Sequence, residues 1–217
     1  MTVTTAPAGT SEAAGKSQER RALAVAGGAH ALHDGFTDLI WIALPIWQAE
    51  FGLTYAAAGA LRTVFTGTMA TLQIPSSMLA ERVGPGLVLA VGTALAGLCY
   101  CLASIGNGFW WLVGALLIGG IGAATQHPIG SAIVAHAFAG PRSLKALGAY
   151  NFSGDLGKVL LPATASALIL IMPWRPAYGL LGLVGLVAAF AIFFLTPRFA
   201  FEAEHTETEE KVAEKAA

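Results

Sequence analysis

Charge is what this sequence has least of. Only 12% of its 217 residues are Asp, Glu, Lys or Arg, against about 25% in an ordinary soluble domain. The deficit is concentrated. Residues 83–126 contain no Asp, Glu, Lys, Arg or His at all. A solvated globule cannot hide such a run, whereas a bilayer can. A net charge of −1 excludes a strong electrostatic pull toward nucleic acid. Cysteine is also scarce. Cys99 and Cys101 stand two residues apart in an apolar run, so they read as packing residues and not as a disulfide framework. There is no His-Glu-x-x-His and no Gly-x-Ser-x-Gly, so hydrolytic chemistry has no motif. We expect no enzyme, no cofactor and no bound metal. Alternating strands of about ten residues are absent too, which argues against a membrane barrel.

Apolar helix-length segments are present instead. Hydrophobic residues make up 55% of the chain, and its mean hydropathy is +0.65. A spanning helix needs roughly 20 mainly apolar residues. Six segments qualify, at 22–47, 55–80, 86–105, 109–137, 145–172 and 177–195. The expected fold is therefore all-α: a polytopic membrane bundle of six transmembrane helices over residues 22–196. Residues 1–21 are rich in Ala, Thr, Ser, Gly and charge, and read as a disordered tail. Residues 197–217 read as an acidic, solvated tail; residues 199–217 carry six Glu and two Lys.

Orientation follows from Lys and Arg. An even number of spans puts both ends on one side. That side holds Lys16, Arg20, Arg21, Arg82, Arg142, Lys145 and Arg198 near span ends, while the other has only Arg175. Both termini are thus expected in the cytoplasm, with the bundle in the inner (plasma) membrane. Trp47, Trp110, Trp111 and Trp174 fall at the opposite ends of the spans, where amphipathic rings favour the headgroup level.

Spans two and five share a pattern. Phe65-Thr66-Gly67 is followed by Pro75, and Phe152-Ser153-Gly154 is followed by Pro162 at the same distance. The two spans run in opposite directions, so the six helices read as a 3+3 inverted repeat of the kind found in secondary transporters.

An ionisable group near the bilayer centre costs at least about 2.5–3.5 kcal/mol, and this chain carries several. His30, Asp34 and Asp38 recur at i, i+4 and i+8, so they stripe one face of span one. Asp34, Asp155, Lys158 and His127 fall at similar depths and could share one polar layer near the middle. Asp34 with His30 and His33 reads as a proton-coupling site, because a carboxylate beside imidazoles in a low-dielectric cavity can exchange a proton near neutral pH. Asp38, Trp41, His127, Asp155 and Lys158 are candidate cavity-lining residues. Arg62 and Asp38 are expected to form a structural ion pair. A haem bundle built on His30, His33, His127 and His136 is disfavoured, since these do not fall into two opposed pairs.

The segment Ser77-Met78-Leu79-Ala80-Glu81-Arg82-Val83-Gly84 resembles the signature loop between spans two and three of the major facilitator superfamily. Arg82 and Gly84 match it. Glu81 replaces Asp, Ser77 replaces the leading Gly, and Pro85-Gly86 replace the basic pair. His30-Ala31-Leu32-His33-Asp34, with Leu44-Pro45 and Glu50-Phe51-Gly52-Leu53-Thr54, is similar to the fosmidomycin-resistance-like efflux branch. So are Gly120-Ile121-Gly122 with His127-Pro128, and Asn151 to Gly157. The resemblance covers the amino-terminal six-helix half of a twelve-span fold. It implies proton-coupled export (antiport) of a small amphiphilic or drug-like molecule by alternating access. It also implies a drug-resistance type of efflux and a cytoplasmic gating loop at Glu81, Arg82 and Gly84. The expected partners are the lipid bilayer, a small-molecule substrate and a second six-helix half, as homodimer or heterodimer. The alternative is a membrane module that regulates or scaffolds a full-length transporter without transporting.

Overall fold

The computed structural model of the chain describes residues 8–138 and 140–196, with side chains from Gly15 onward. All regular structure among them is helical: α1 (Ala8–Phe51), α2 (Tyr55–Val83), α3 (Pro85–Ile105), α4 (Gly108–Ala123), α5 (Gln126–Ala137), α6 (Pro141–Ile171) and α7 (Trp174–Leu195). α1 begins upstream of the expected span, so residues 8–21 are helical and not irregular. Ala, Glu, Gln and Arg, all strong helix formers, dominate that stretch. Residues 1–7 and the acidic tail at 197–217 lie outside the described residues.

Among the described residues, four stretches are long and apolar enough to cross a membrane: Pro85–Ile105, Gly108–Ala137, Pro141–Ile171 and Trp174–Leu195. α1 and α2 are long enough but more polar. The stripe from His30 to Asp38 lowers the hydropathy of α1, and Arg62, Gln73, Glu81, Arg82 and several threonines lower that of α2.

Glycine sets how closely the helices pack. α3 lies closest to α7, and α1 to α6. A Cβ on Gly97 would sit 2.6 Å from the Gly182 carbonyl and 3.0 Å from Gly185, so the α3–α7 seam holds backbone against backbone. Small residues drive such association in lipid, where apolar side chains gain nothing by leaving the tails. Half-buried Cys101 lies at this seam against Gly182, while buried Cys99 faces Gly119 of α4, both as free thiols. Phe36, Leu39, Leu61, Phe65, Leu112 and Leu116 fill the centre. The hydroxyls of Tyr100 on α3 and Tyr178 on α7 donate to the carbonyls of Phe36 and Leu39 on α1. These bonds fix α1 against the seam.

The expected fourth span, 109–137, is broken into α4 and α5 at Ala124–Thr125. Pro128 explains the break: it lacks an amide hydrogen, and its ring meets the carbonyl four residues back, that of Ala124. That carbonyl turns aside and accepts from the Ser76 hydroxyl of α2 at 2.9 Å.

Charged residues cap the two ends of the bundle. At one end, Arg21 donates to the Leu195 and Phe194 carbonyls at 2.6 and 3.0 Å, which satisfies the open end of α7 and places the start of the apolar part of α1 beside it. Arg142 pairs with Glu19 there at 3.0 Å. At the other end, Arg175 binds Glu50 at 2.7 Å and donates to Ser104, Gly106 and Asn107. Trp174 donates to the other Glu50 oxygen. Partial desolvation pushes the Glu50 carboxyl up, but the hydrogen bonds from Trp174 and Arg175 outweigh it and hold it below the usual carboxylate range.

Candidate functional site

The site grows from the α1–α6 seam. Gly35 of α1 has no room for a side chain beside Leu161 and the Gly157 carbonyl, and Gly157 of α6 has none against Ala31. This approach brings α6 over the polar stripe of α1. Gly154 lies directly on the site: a Cβ there would meet Asp34 Oδ2 at 2.6 Å and the His30 ring at 2.7 Å. Glycine at 154 therefore makes the space in which the carboxylate sits.

Asp34 is the centre. It is 5% exposed. Its Oδ1 faces His30 Nε2 at 3.5 Å, His33 Nε2 at 3.7 Å and His127 Nε2 at 3.9 Å. Its Oδ2 accepts an ion pair from Lys158 Nζ at 3.2 Å. Lys158 also reaches Asp155 Oδ1 at 3.0 Å, so one ammonium bridges two carboxylates. His30 and His33 are buried with Asp34, while the His127, Lys158 and Asp155 side chains are 44%, 44% and 69% exposed. The cluster thus has a closed floor on α1 and an open mouth on α5 and α6.

Hydrogen bonding fixes the state of one ring. His30 Nδ1 lies 2.9 Å from the Tyr150 carbonyl. A carbonyl only accepts, so Nδ1 carries a hydrogen. In a neutral ring Nε2 is then a bare lone pair facing a carboxylate oxygen, and it has no hydrogen-bond partner among the described residues. Two acceptors then face each other there. The Tyr150 ring stacks on His30 at 4.1 Å and holds it in that pose.

The ligand atoms of His30, Asp34 and His127 lie within 4.8 Å of one another, a spacing a metal ion can bridge. Lys158 argues against one. Its ammonium already neutralises Asp34 and would be left beside the ion.

The structure therefore gathers His30, His33, Asp34, His127, Asp155 and Lys158 at one place. Asp38 and Trp41 lie on the same face of α1 but further along it. Arg62 makes no ion pair with Asp38 among the described residues. Its guanidinium donates to the Thr37 carbonyl at 3.1 Å and stacks on Trp41 at 4.8 Å; Asp38 acts on it only through space. The carbonyl of the neighbouring residue and the ring one turn on offer the guanidinium better-aligned partners than the Asp38 side chain. Glu81 and Arg82 are exposed at the end of α2, and Gly84 turns the chain into α3 with φ +94°, where a side chain would be strained. Sequence reasoning missed Tyr150, Gly154 and Gln126, whose carbonyl accepts from the Tyr150 hydroxyl at 3.5 Å. Glycines on both helices, Gly27 and Gly35 on α1 and Gly154 and Gly157 on α6, were the available signal for the close seam.

A family model described as Major Facilitator Superfamily matches residues 26–216. The chain is 27% identical over 148 residues to the Escherichia coli protein named "Probable L-galactonate transporter", covering 68% of this chain and 33% of that one. It is 30% identical over 163 residues to an Aspergillus fumigatus protein named as a major facilitator superfamily multidrug transporter, covering 74% and 31%. It is 26% identical over 157 residues to a Cupriavidus necator protein named "Probable sulfoacetate transporter", covering 71% and 36%. The chain spans about a third of the length of these curated relatives. With apolar helices long enough to cross a bilayer and a family match over most of its length, it belongs to the major facilitator superfamily, whose matched members here are transporters.

Proposed function

We propose that this chain forms six membrane spans of a secondary transporter that moves a small solute by alternating access, coupled to a proton taken up around Asp34. The carrying observation is Asp34 itself, buried in the bundle with three imidazole nitrogens on one oxygen and Lys158 on the other. In this reading α1, α2 and α3 form one three-helix unit. The broken helix α4–α5, α6 and α7 form the inverted second. The Phe-x-Gly and proline pattern repeats in α2 and α6, with Pro75 and Pro162 inside the two helices. Both termini face the cytoplasm, and the membrane is the inner (plasma) membrane. Pairing the start of the apolar part of α1 with the end of α7 supports that arrangement.

The proposed cycle uses the chain's own charges. Deprotonated, Asp34 holds Lys158. A proton arriving on Asp34 or its imidazole neighbours weakens that hold, and Lys158 remains with Asp155. His127 rides on α5, just past the break at Ala124–Thr125, so the change in charge reaches a helix already hinged at mid-membrane. The exposed mouth needs a wall, and a second six-helix unit supplies it. The Glu81–Arg82–Gly84 loop closes the cytoplasmic side in one state. The cargo is a small amphiphilic or drug-like molecule, and the direction is export. The relatives' names cover a sugar acid, a sulfonated acid and drugs, all small organic solutes.

Flux in proteoliposomes with an imposed pH gradient, with and without a second six-helix unit, tests this. We expect gradient-driven flux that Asp34→Asn lowers by about tenfold or more, as removal of an acid–base group does. Full gradient-driven flux in Asp34→Asn would overturn the proton role. No flux in any combination would favour a scaffold role.

A further inference from the structure

Arg62 remains unexplained by the cluster around Asp34. It is half-buried in α2, carries five N–H donors, and makes one hydrogen bond among the described residues, to the Thr37 carbonyl. Its plane is already held: Trp41 lies 4.8 Å beneath the guanidinium and Phe65 6.0 Å away. A guanidinium stacked in this way is pre-organised and weakly hydrated, and its free edge suits a two-oxygen anion. The hydroxyl of the same Thr37 is buried and lacks a hydrogen-bond partner among the described residues. Asp38 makes no ion pair with it among the described residues and acts on it only through space.

Position adds a second argument. At about 100° per residue, Asp34, Asp38 and Trp41 fall within about 60° of arc on α1. Trp41 is 56% exposed on that face. Asp38 lies one turn, about 6 Å, beyond Asp34. The stacked Arg62 thus stands beside the exposed Trp41 end of this face, one turn or more from the mouth formed by His127 and Lys158. A cation with unused donors inside a membrane is costly unless a ligand meets it.

We infer that Arg62, held flat on Trp41, is the subsite for an anionic group of the transported solute: a carboxylate, sulfonate or phosphonate whose apolar remainder lies along the exposed face of α1. The inference rests on the transport reading and narrows its cargo to amphiphiles with an acidic head. Asp38 then acts as the internal competitor that the solute displaces from the field of Arg62.

Equilibrium binding to the full chain in nanodiscs tests it with one hexyl tail and five heads: hexanoate, hexanesulfonate, hexylphosphonate, hexanamide and hexylammonium. At least one anion should bind about tenfold or more tighter than hexanamide and hexylammonium, the factor expected of a charge-assisted hydrogen bond. Arg62→Gln should abolish that preference, and Arg62→Lys should keep part of it. Asp38→Asn should tighten the anion, whereas a purely structural Arg62–Asp38 pair would instead lose stability without a change in selectivity. Equal binding of all five heads, or an anion preference that survives Arg62→Gln, overturns the subsite. Anion-selective binding without gradient-driven flux would overturn the transport reading and leave the subsite standing.

Discussion

Two seams hold this bundle together, and they use the same residue for different ends. At α3–α7, Gly97 meets Gly182 and Gly185 in a close contact lined by Cys101 and Phe36. At α1–α6, Gly35 and Gly157 give an equally tight approach, yet one turn from Gly157 the gap at Gly154 receives a carboxylate and an imidazole. The first seam is packing alone. The second turns close packing into a seat for charge. Glycine in a membrane helix therefore has two uses that composition does not separate: letting backbones touch, and leaving a space beside them.

The largest expected effect breaks both seams alike. Gly97→Val and Gly157→Val each press two methyls into backbone; overpacking costs about 1–3 kcal/mol even where side chains can yield, and backbone does not. Folded yield after purification should fall severely for both. Gly154→Ala sharpens the contrast. Its methyl meets side-chain atoms that can move, Asp34 Oδ2 and the His30 ring. We expect a folded protein with gradient-driven flux reduced about tenfold, on the scale of a misplaced acid–base group. A Gly154→Ala variant with unchanged flux would reduce the second seam to packing alone.

The smallest effect lies at the clasp, outside both seams. Glu50 is held below the usual carboxylate range by Trp174 and Arg175. A depressed acid adds stability that is present above its unfolded pKa and is lost as pH falls through its folded pKa. Melting temperature of the wild type should therefore drop on acidification below the ordinary carboxylate range, and Glu50→Gln should flatten that part of the curve. The effect is small because the clasp is partly exposed and screened. An unchanged acid limb in Glu50→Gln would remove Glu50 from the clasp's energetics.

Much of the site was legible in the sequence because helical period and depth are simple arithmetic. The i, i+4 spacing put His30 beside Asp34, and similar depths brought His127, Asp155 and Lys158 to the same layer. What stayed hidden depends on rotation of one helix against another. Tyr150 looks like any aromatic in a span until α6 turns it onto His30. Gly154 looks like any glycine until Asp34 fills the space beside it. The break in span four was legible in Pro128, but Ser76 as the receiver of the freed carbonyl was not. Arg62 and Asp38 show the limit of the method. An ion pair was expected between them, while the stacking surface of Trp41 and the Thr37 carbonyl decide where the guanidinium lies.

The central claim is that Asp34 and the imidazoles around it bind a proton inside the membrane. Infrared difference spectra of the membrane-embedded protein, recorded between alkaline and mildly acidic pH, read protonated carboxyl groups directly. The account expects a protonated-carboxyl band or a coupled imidazolium band that Asp34→Asn removes and Asp155→Asn leaves in place. A difference spectrum identical in wild type and Asp34→Asn would contradict it.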